Sequence, residues 1–453
     1  MMNTEAIKQA VARAAAQCGA EGYEIVIHTE ESAGAEALKH EISSVSYSRS
    51  STMQVRCVVG GKSGYAVSEL LTPEAAAELV EQAVANAAVI DDPDEMPLFG
   101  GSEHYEQIHD IIPELPSTDE MKAMALEMQE KTYAASDRIV DGSQSGVSGM
   151  KTSQSGVSGM KTSQILVNSE GLDLSYDSGL VYRVVSAAVK DARDGAEDAA
   201  DDYVIADISK ETIDESVQKA VDGALSNLWA DSVDSGKYNI IIDAPTMRSL
   251  LGVFSGVFSA RSAYMKTTLL AGKEGEVVAS EKFTLVDDPF HPEKFGHCPF
   301  DGEGVAVYTK NVVEKGVLKT LLYNRMYAKL MGKETTGNAR DAKNIGPNGL
   351  YLAAGELSEE ALLERLGNGL YVTSLEGLHA GANTQSGDFS LQAKGFLVEN
   401  GKKTRSVKNF TVADNFFNLI KKVDELSDKV RFSVTSSIGS PDVLFTDVSI
   451  SGK

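Results

Sequence analysis

The chain has 453 residues, 42% hydrophobic and 24% charged, the make-up of an ordinary folded protein long enough for two or three domains. Its 66 acidic against 42 basic residues leave a net charge of −24, which repels phosphate backbones and anionic headgroups, so neither nucleic acid nor a membrane is expected as a partner. Cys18, Cys57 and Cys298 are too sparse for a disulfide framework, the N-terminal segment lacks signal-peptide character and no run reaches the roughly 18 apolar residues of a membrane helix, so a cytoplasmic location is expected.

From the N-terminus, Thr4 is expected to cap a helix carrying Ile7, Val11 and Cys18 on one face and stopped by Gly19. YEIVIHTEE, KHEISSVSYSRS and TMQVRCVV read as strands, the last turning through GGKSG into YAVSEL. Thr72 caps a second helix, with Pro73 at its first position and Leu79, Val80, Ala83, Val84 and Ala87 on its buried stripe. Residues 1–95 thus form a helix–strands–helix module. The acidic, Pro- and Gly-broken DDPDEMPLFGGSEHYEQ reads as a linker, and TDEMKAMALEMQEKTYAAS as a helix.

The decapeptide SQSGVSGMKT then occurs twice without change, at 143–152 and 153–162. It lacks the copy number and apolar period of a solenoid and reads as a ten-residue insertion enlarging a hairpin loop. ILVNSEGLDLSY and GLVYRVVSAAV read as strands. KDARDGAEDAADDY reads as a solvated acidic loop, its acids wrongly spaced for an EF-hand. The helix ETIDESVQKAVDGALSNLW closes a middle region, residues 96–232. Residues 233–453 open with GKYNIIIDAPTMRSLLGVFSGVFSAR, a strand, a turn and an apolar helix. They continue as short strands and glycine turns, with helices expected in LSEEALLERLGNG and TVADNFFNLIKKVDELSD. Strands and helices do not alternate regularly, which makes the fold class α+β, with N-terminal helix–strand modules before a strand-rich C-terminal domain.

Local chemical motifs are weak. His40-Glu41 opens no zinc helix: the positions one turn on hold Ser44 and Val45, and the alternation places His40 on a surface strand. GGKS fails as a phosphate loop because its leading glycine position is Arg56. Gly367 and Gly369 follow a helix and precede a strand, the reverse of a dinucleotide fingerprint. HPEKFGHCPFDGEG gathers His291, His297, Cys298, Asp301 and Glu303 without a recognised ligand spacing, and reads as a polar Pro/Gly loop.

Longer stretches are more informative. GKEGEVVASEKFTLVDDP, PFDGEGVAVYTKNVVEKGVLKTLLYNRMYAKL, TTGNARDAKNIGPNGLYL, GNGLYVTSLEGLHAGANTQSGDFSLQAKGFLVENG and SSIGSPDVLF resemble the TldD/PmbA family, also described as modulators of DNA gyrase; SSVSYSRSSTMQVRCVVGGKSGYAVSEL and VNSEGL fit it too. That resemblance implies a cytosolic, oligomeric metallopeptidase complex of two subunit kinds, acting on unfolded or modified peptides. The TldD kind carries His-Glu-x-x-x-His on a helix and a later cysteine as zinc ligands. Here the corresponding helix is LLGVFSGVFSAR, residues 250–261, with no His, Glu or Cys, and the later cysteine region, VTSSIGSPD, carries Ser436 and Ser437.

The resemblance therefore implies the TldE (PmbA) kind of subunit. It has no catalytic residue and no metal of its own, with zinc expected in a TldD-like catalytic partner. Peptide substrate is a further expected partner, as is a second copy of the chain when the partner is absent. Substrate-binding candidates are Gly387, Asp388, Phe389 and Ser390 of the shared SGDFS stretch, with Asp301 and Glu303; turn chemistry accounts for the same residues equally well. The alternatives are a self-contained peptidase using His291, His297 and Cys298, or a non-catalytic homodimeric peptide-binding protein.

Overall fold

Period-two alternation builds the N-terminal half. Strands β1 (Gly22–Leu38), β2 (Glu41–Val59), β3 (Lys62–Ser68), β4 (Gln154–Asn168), β5 (Asp173–Arg193) and β6 (Ala196–Asp207) form one antiparallel sheet, ordered β3-β2-β1-β4-β5-β6. The computed structural model describes residues 3–89, 96–140 and 153–453. Odd-numbered residues of β1 point to one face, where Ile25 and Ile27 pack with Ile7, Val11, Leu79 and Val80 of helices α1 (Thr4–Gln17) and α2 (Pro73–Ala87). Further along the same face, Ala33 and Ala35 pack with Met121, Met128, Val217 and Val221 of α3 (Thr118–Ala135) and α4 (Ile213–Ser226). The opposite face carries small hydroxyl residues, Ser32, Ser46, Ser158, Thr162 and Ser178.

Several local expectations change. Asn3, not Thr4, caps α1, its side chain accepting from the Ala6 N–H at 3.1 Å. KHEISSVSYSRS and TMQVRCVV are one 19-residue strand. Lys39 and His40 form the tight β1–β2 turn, with φ of 52° and 63°, and the His40 ring stacks on Tyr133 at 4.1 Å, so His40 is a turn residue. Thr72 and Pro73 cap and open α2 as expected. The second decapeptide copy is not a loop: most of it is the start of β4, because its Ser/Gly/Val/Met alternation matches the pleat, with Val157 buried beneath the helices. The first copy lies outside the described residues. The acidic stretch 190–203 is no loop either. Asp194-Gly195, with φ of 50° and 80°, makes a two-residue turn that folds β6 back on β5. Lys190 and Lys408 offset its charge through Glu197 and Asp198.

In the C-terminal half, β7 (Gly236–Ile242) leads into α5 (Ala244–Phe254), capped by Asp243, whose carboxylate accepts from the Thr246 N–H at 2.9 Å. The expected continuous apolar helix breaks after Phe254 into a 3-10 turn (Ser255–Phe258) and a short helix (Ala260–Tyr264). Strand β7 sits in a six-stranded sheet between Gly369–Glu376 and Val443–Ser451. Strand Lys402–Asn415 also pairs with Val443–Ser451, closing five of these strands into a ring. A second six-stranded sheet includes Leu285–Asp287, Lys310–Glu314, Leu350–Leu352 and Ser436–Ser440. Between them lies an aromatic core in which Phe254 stacks on Phe416 at 4.5 Å. The helix in LSEEALLERLGNG is present as Glu359–Leu366; in TVADNFFNLIKKVDELSD only Phe416–Leu419 is helical, because strands end and begin on either side of it. The architecture is α+β, with helix–strand modules before a strand-rich C-terminal region.

The DDPDEMPLFGGSEHYEQ stretch is irregular from residue 96 onward, yet it is stitched to both halves. On the side of the first sheet, Asn168 Nδ2 donates to the Phe99 carbonyl at 2.8 Å; on the other, the Tyr105 hydroxyl donates to the Gly304 carbonyl at 2.7 Å, the Ser102 hydroxyl accepts from the Ala306 N–H at 2.9 Å, and Arg325 donates to the Pro97 carbonyl at 3.0 Å. It therefore fixes the C-terminal loops over the hydroxyl face of the first sheet.

Candidate functional site

A cavity of about 620 Å³ lies where that face meets these loops. Three elements build it. The sheet supplies Ser158, Met160, Tyr176, Ser178, Leu180 and Tyr182; loop 294–298 supplies Lys294, His297 and Cys298; Arg340, Asn348, Ser436 and Ser437 complete the wall.

The loop is held rigidly. Asp110 accepts from the His297 backbone N–H at 2.9 Å and meets its ring Nδ1 at 2.6 Å, while Nε2 lies 3.1 Å from the His291 carbonyl. The His291 ring packs against Tyr351 and Phe432, with centroids 4.7 and 4.8 Å away. Both ring nitrogens of His297 are thus committed, and His291, His297 and Cys298 do not converge as a ligand set. Burial raises the Cys298 thiol pKa, against the neighbouring Lys294 and Arg340. It also pushes the Tyr176 hydroxyl up to about 12.

Asp287 secures the second wall. It is fully buried; one carboxylate oxygen accepts from the Asn348 and Gly349 N–H groups, each at 2.8 Å. The other accepts from Asn338 Nδ2 at 2.7 Å and the Lys310 ammonium at 3.1 Å. This is what positions the segment bearing Arg340 and Asn348.

The six sequence-derived binding candidates fall elsewhere, in two groups, and none lines the cavity. Gly387 has φ of 87°, and a Cβ there would meet the Phe417 ring at 2.5 Å. Asp388 is exposed and accepts from Asn415 Nδ2 at 2.8 Å; Phe389 is buried in the aromatic core near Phe254; Ser390 is exposed. Asp301 is buried and accepts from the Glu303, Val305 and Ala339 N–H groups at 2.9, 3.0 and 2.9 Å. Glu303 accepts from the Arg325 N–H at 2.9 Å, near Glu24 at the contact between the halves. Burial pushes Asp301 up to about 6 and Glu303 up to about 7. The cavity residues that sequence reasoning missed are Lys294, Arg340 and Tyr176. No local motif marks them, because they converge only through tertiary packing.

The two regions matched to zinc-ligand positions do meet: α5 packs against Ser436–Ser440, and a Cβ on Gly252 would lie 3.9 Å from Ile438. Across residues 250–261 and Ser436–Ser440 the only oxygen donors are hydroxyls and backbone carbonyls, and the single carboxylate of the VTSSIGSPD region, Asp442, is taken up by the Ala244 N–H at 2.7 Å. Zinc is gripped by thiolate, imidazole and carboxylate, so this pair of segments does not fit the ion. Among the described residues, no group of three or more His, Cys, Asp and Glu is placed to hold a metal.

A chain with this α+β architecture and this inter-half cavity matches three successive family models: PmbA/TldA metallopeptidase domain 1 over residues 23–87, the central domain over 111–228 and the C-terminal domain over 235–452. The chain belongs to the PmbA/TldD family. It is 26% identical over 433 residues to a metalloprotease PmbA homolog of Haemophilus influenzae, covering 91% of this chain and 88% of that one. It is 31% identical over 237 residues to a metalloprotease of Methanothermobacter thermautotrophicus; that match spans only 50% of this chain and 51% of the relative. A solved Thermotoga maritima structure, described as a candidate modulator of a DNA gyrase, superposes with a TM-score of 0.88 at 27% identity, covering 99% of this chain and 100% of that one. No helix among the described residues is long and apolar enough to cross a membrane.

Proposed function

We propose that this chain is the zinc-free, TldE/PmbA-like partner subunit of a cytosolic TldD-type metallopeptidase complex that acts on unfolded or modified peptides. One observation carries the reading: residues 250–261 and the strand packed against them, Ser436–Ser440, contain no thiol, imidazole or carboxylate. Without such donors there is no ion to polarise a carbonyl or activate water, so cleavage falls to another chain. This chain's part is to bind peptide in the cavity between its halves and to complete the partner's chamber.

Co-expression with a TldD-like chain tests this. The two should co-elute and cleave an unfolded peptide, while this chain alone should hold less than stoichiometric zinc and leave the peptide intact. Separate elution at micromolar concentration, or zinc-dependent cleavage by the isolated chain, refutes it.

A further inference from the structure

The charge around the cavity is the reverse of the charge of the chain. With 66 acidic residues against 42 basic ones, a random patch should be acidic. Yet none of the residues lining the cavity is Asp or Glu, whereas Lys294 and Arg340 both line it.

Neither cation is neutralised. Lys294 is only 6% exposed, and its ammonium, with three donors, is hydrogen-bonded to the Gly296 carbonyl. Arg340 has an exposed side chain, with one guanidinium nitrogen bonded to the Pro347 carbonyl. Among the described residues neither makes an ion pair. The nearby carboxylates are already taken: Asp287 is bound by Lys310 and Asn338, and Asp110 by His297. Burial lowers the Lys294 pKa; Cys298, Asp110 and Asp287 oppose this and Arg340 adds to it, so the two cations feel each other. A buried ammonium without a counterion costs several kcal/mol, as an order of magnitude. An arriving anion would relieve that cost and hold the ammonium protonated.

We propose that the cavity is an oxyanion site in which Lys294 and Arg340 receive a carboxylate of an extended peptide. The proposal rests on the peptide-handling reading above and names the group that anchors the substrate. A carboxylate alone is far smaller than about 620 Å³. The remaining wall suits a peptide, with Met160, Leu180 and Tyr182 for side chains and Ser436 and Ser437 for backbone groups. The anchoring group is the terminal carboxylate or an acidic side chain, and the experiment separates the two.

Three fluorescent peptides of one unfolded sequence are titrated into the full chain and followed by anisotropy: a free acid, its C-terminal amide, and the amide with a penultimate Asp. The free acid should bind about tenfold or more tightly than the plain amide, the worth of one charge-assisted hydrogen bond. Recovery of affinity by the Asp peptide would assign a side-chain source and still support the site. Lys294→Met and Arg340→Met should each weaken the acid and leave the plain amide unchanged. If Lys294→Met fails to fold, Arg340→Met alone carries the test, since that side chain is exposed. Equal binding of all three peptides, unaffected by either variant, overturns the oxyanion site but leaves peptide handling intact. Binding of none of them overturns both.

Discussion

Asp287→Ala is the sharpest test of how the cavity wall is held. The substitution removes four contacts at once: Lys310 at 3.1 Å, Asn338 at 2.7 Å, and the Asn348 and Gly349 N–H groups at 2.8 Å each. Asp287 is fully buried and Lys310 is 8% exposed, so the lysine cannot recover its hydration by a small movement. Removing one member of a buried ion pair costs about 3–5 kcal/mol, chiefly because the other charge is stranded. At roughly 2–4 °C per kcal/mol for a unit of this size, the unfolding midpoint of the C-terminal half should fall by about 6–20 °C. Calorimetry measures this directly. Adding Lys310→Met should return part of the loss, since it removes the stranded charge. A midpoint within about 2 °C of the wild type, or no recovery in the double variant, would refute the clamp.

Two further outcomes are expected. Burial holds Glu303 up to about 7, above its ordinary 4.5, so the folded state keeps its proton longer than the unfolded state does. Its contribution to stability is therefore present below about pH 4.5 and is lost as pH rises to about 7; Glu303→Gln should flatten this part of a urea-midpoint profile, and an unchanged slope would contradict it. Gly387→Ala places a Cβ against the Phe417 ring at a φ of 87°, so it should destabilise the chain by about 1–3 kcal/mol in urea unfolding, and a neutral result would show that this turn relaxes freely.

Long-range likeness and local capping were legible in the sequence; the cavity was not. Thr72-Pro73 and Asp243-Ala-Pro announce helix starts through side-chain acceptors that act within three residues. The acidic stretch ending in Tyr203 was misread because its composition suggested solvent, while the Asp194-Gly195 turn and pairing with β5 made it a strand. The second decapeptide was likewise judged by its repetition, although its alternation already matched a sheet.

What the sequence by itself determined is what nearest neighbours determine: caps, turns, the faces of strands, the family, and the lack of zinc-binding donors in residues 250–261. Only the tertiary structure decided that the hydroxyl face of the first sheet meets a loop pinned by Asp110 and a segment pinned by Asp287. The physical reason is range. Capping and alternation are written in adjacent residues, whereas the field at Lys294 and Arg340 is the sum of groups brought together from distant parts of the chain, including carboxylates that are occupied elsewhere.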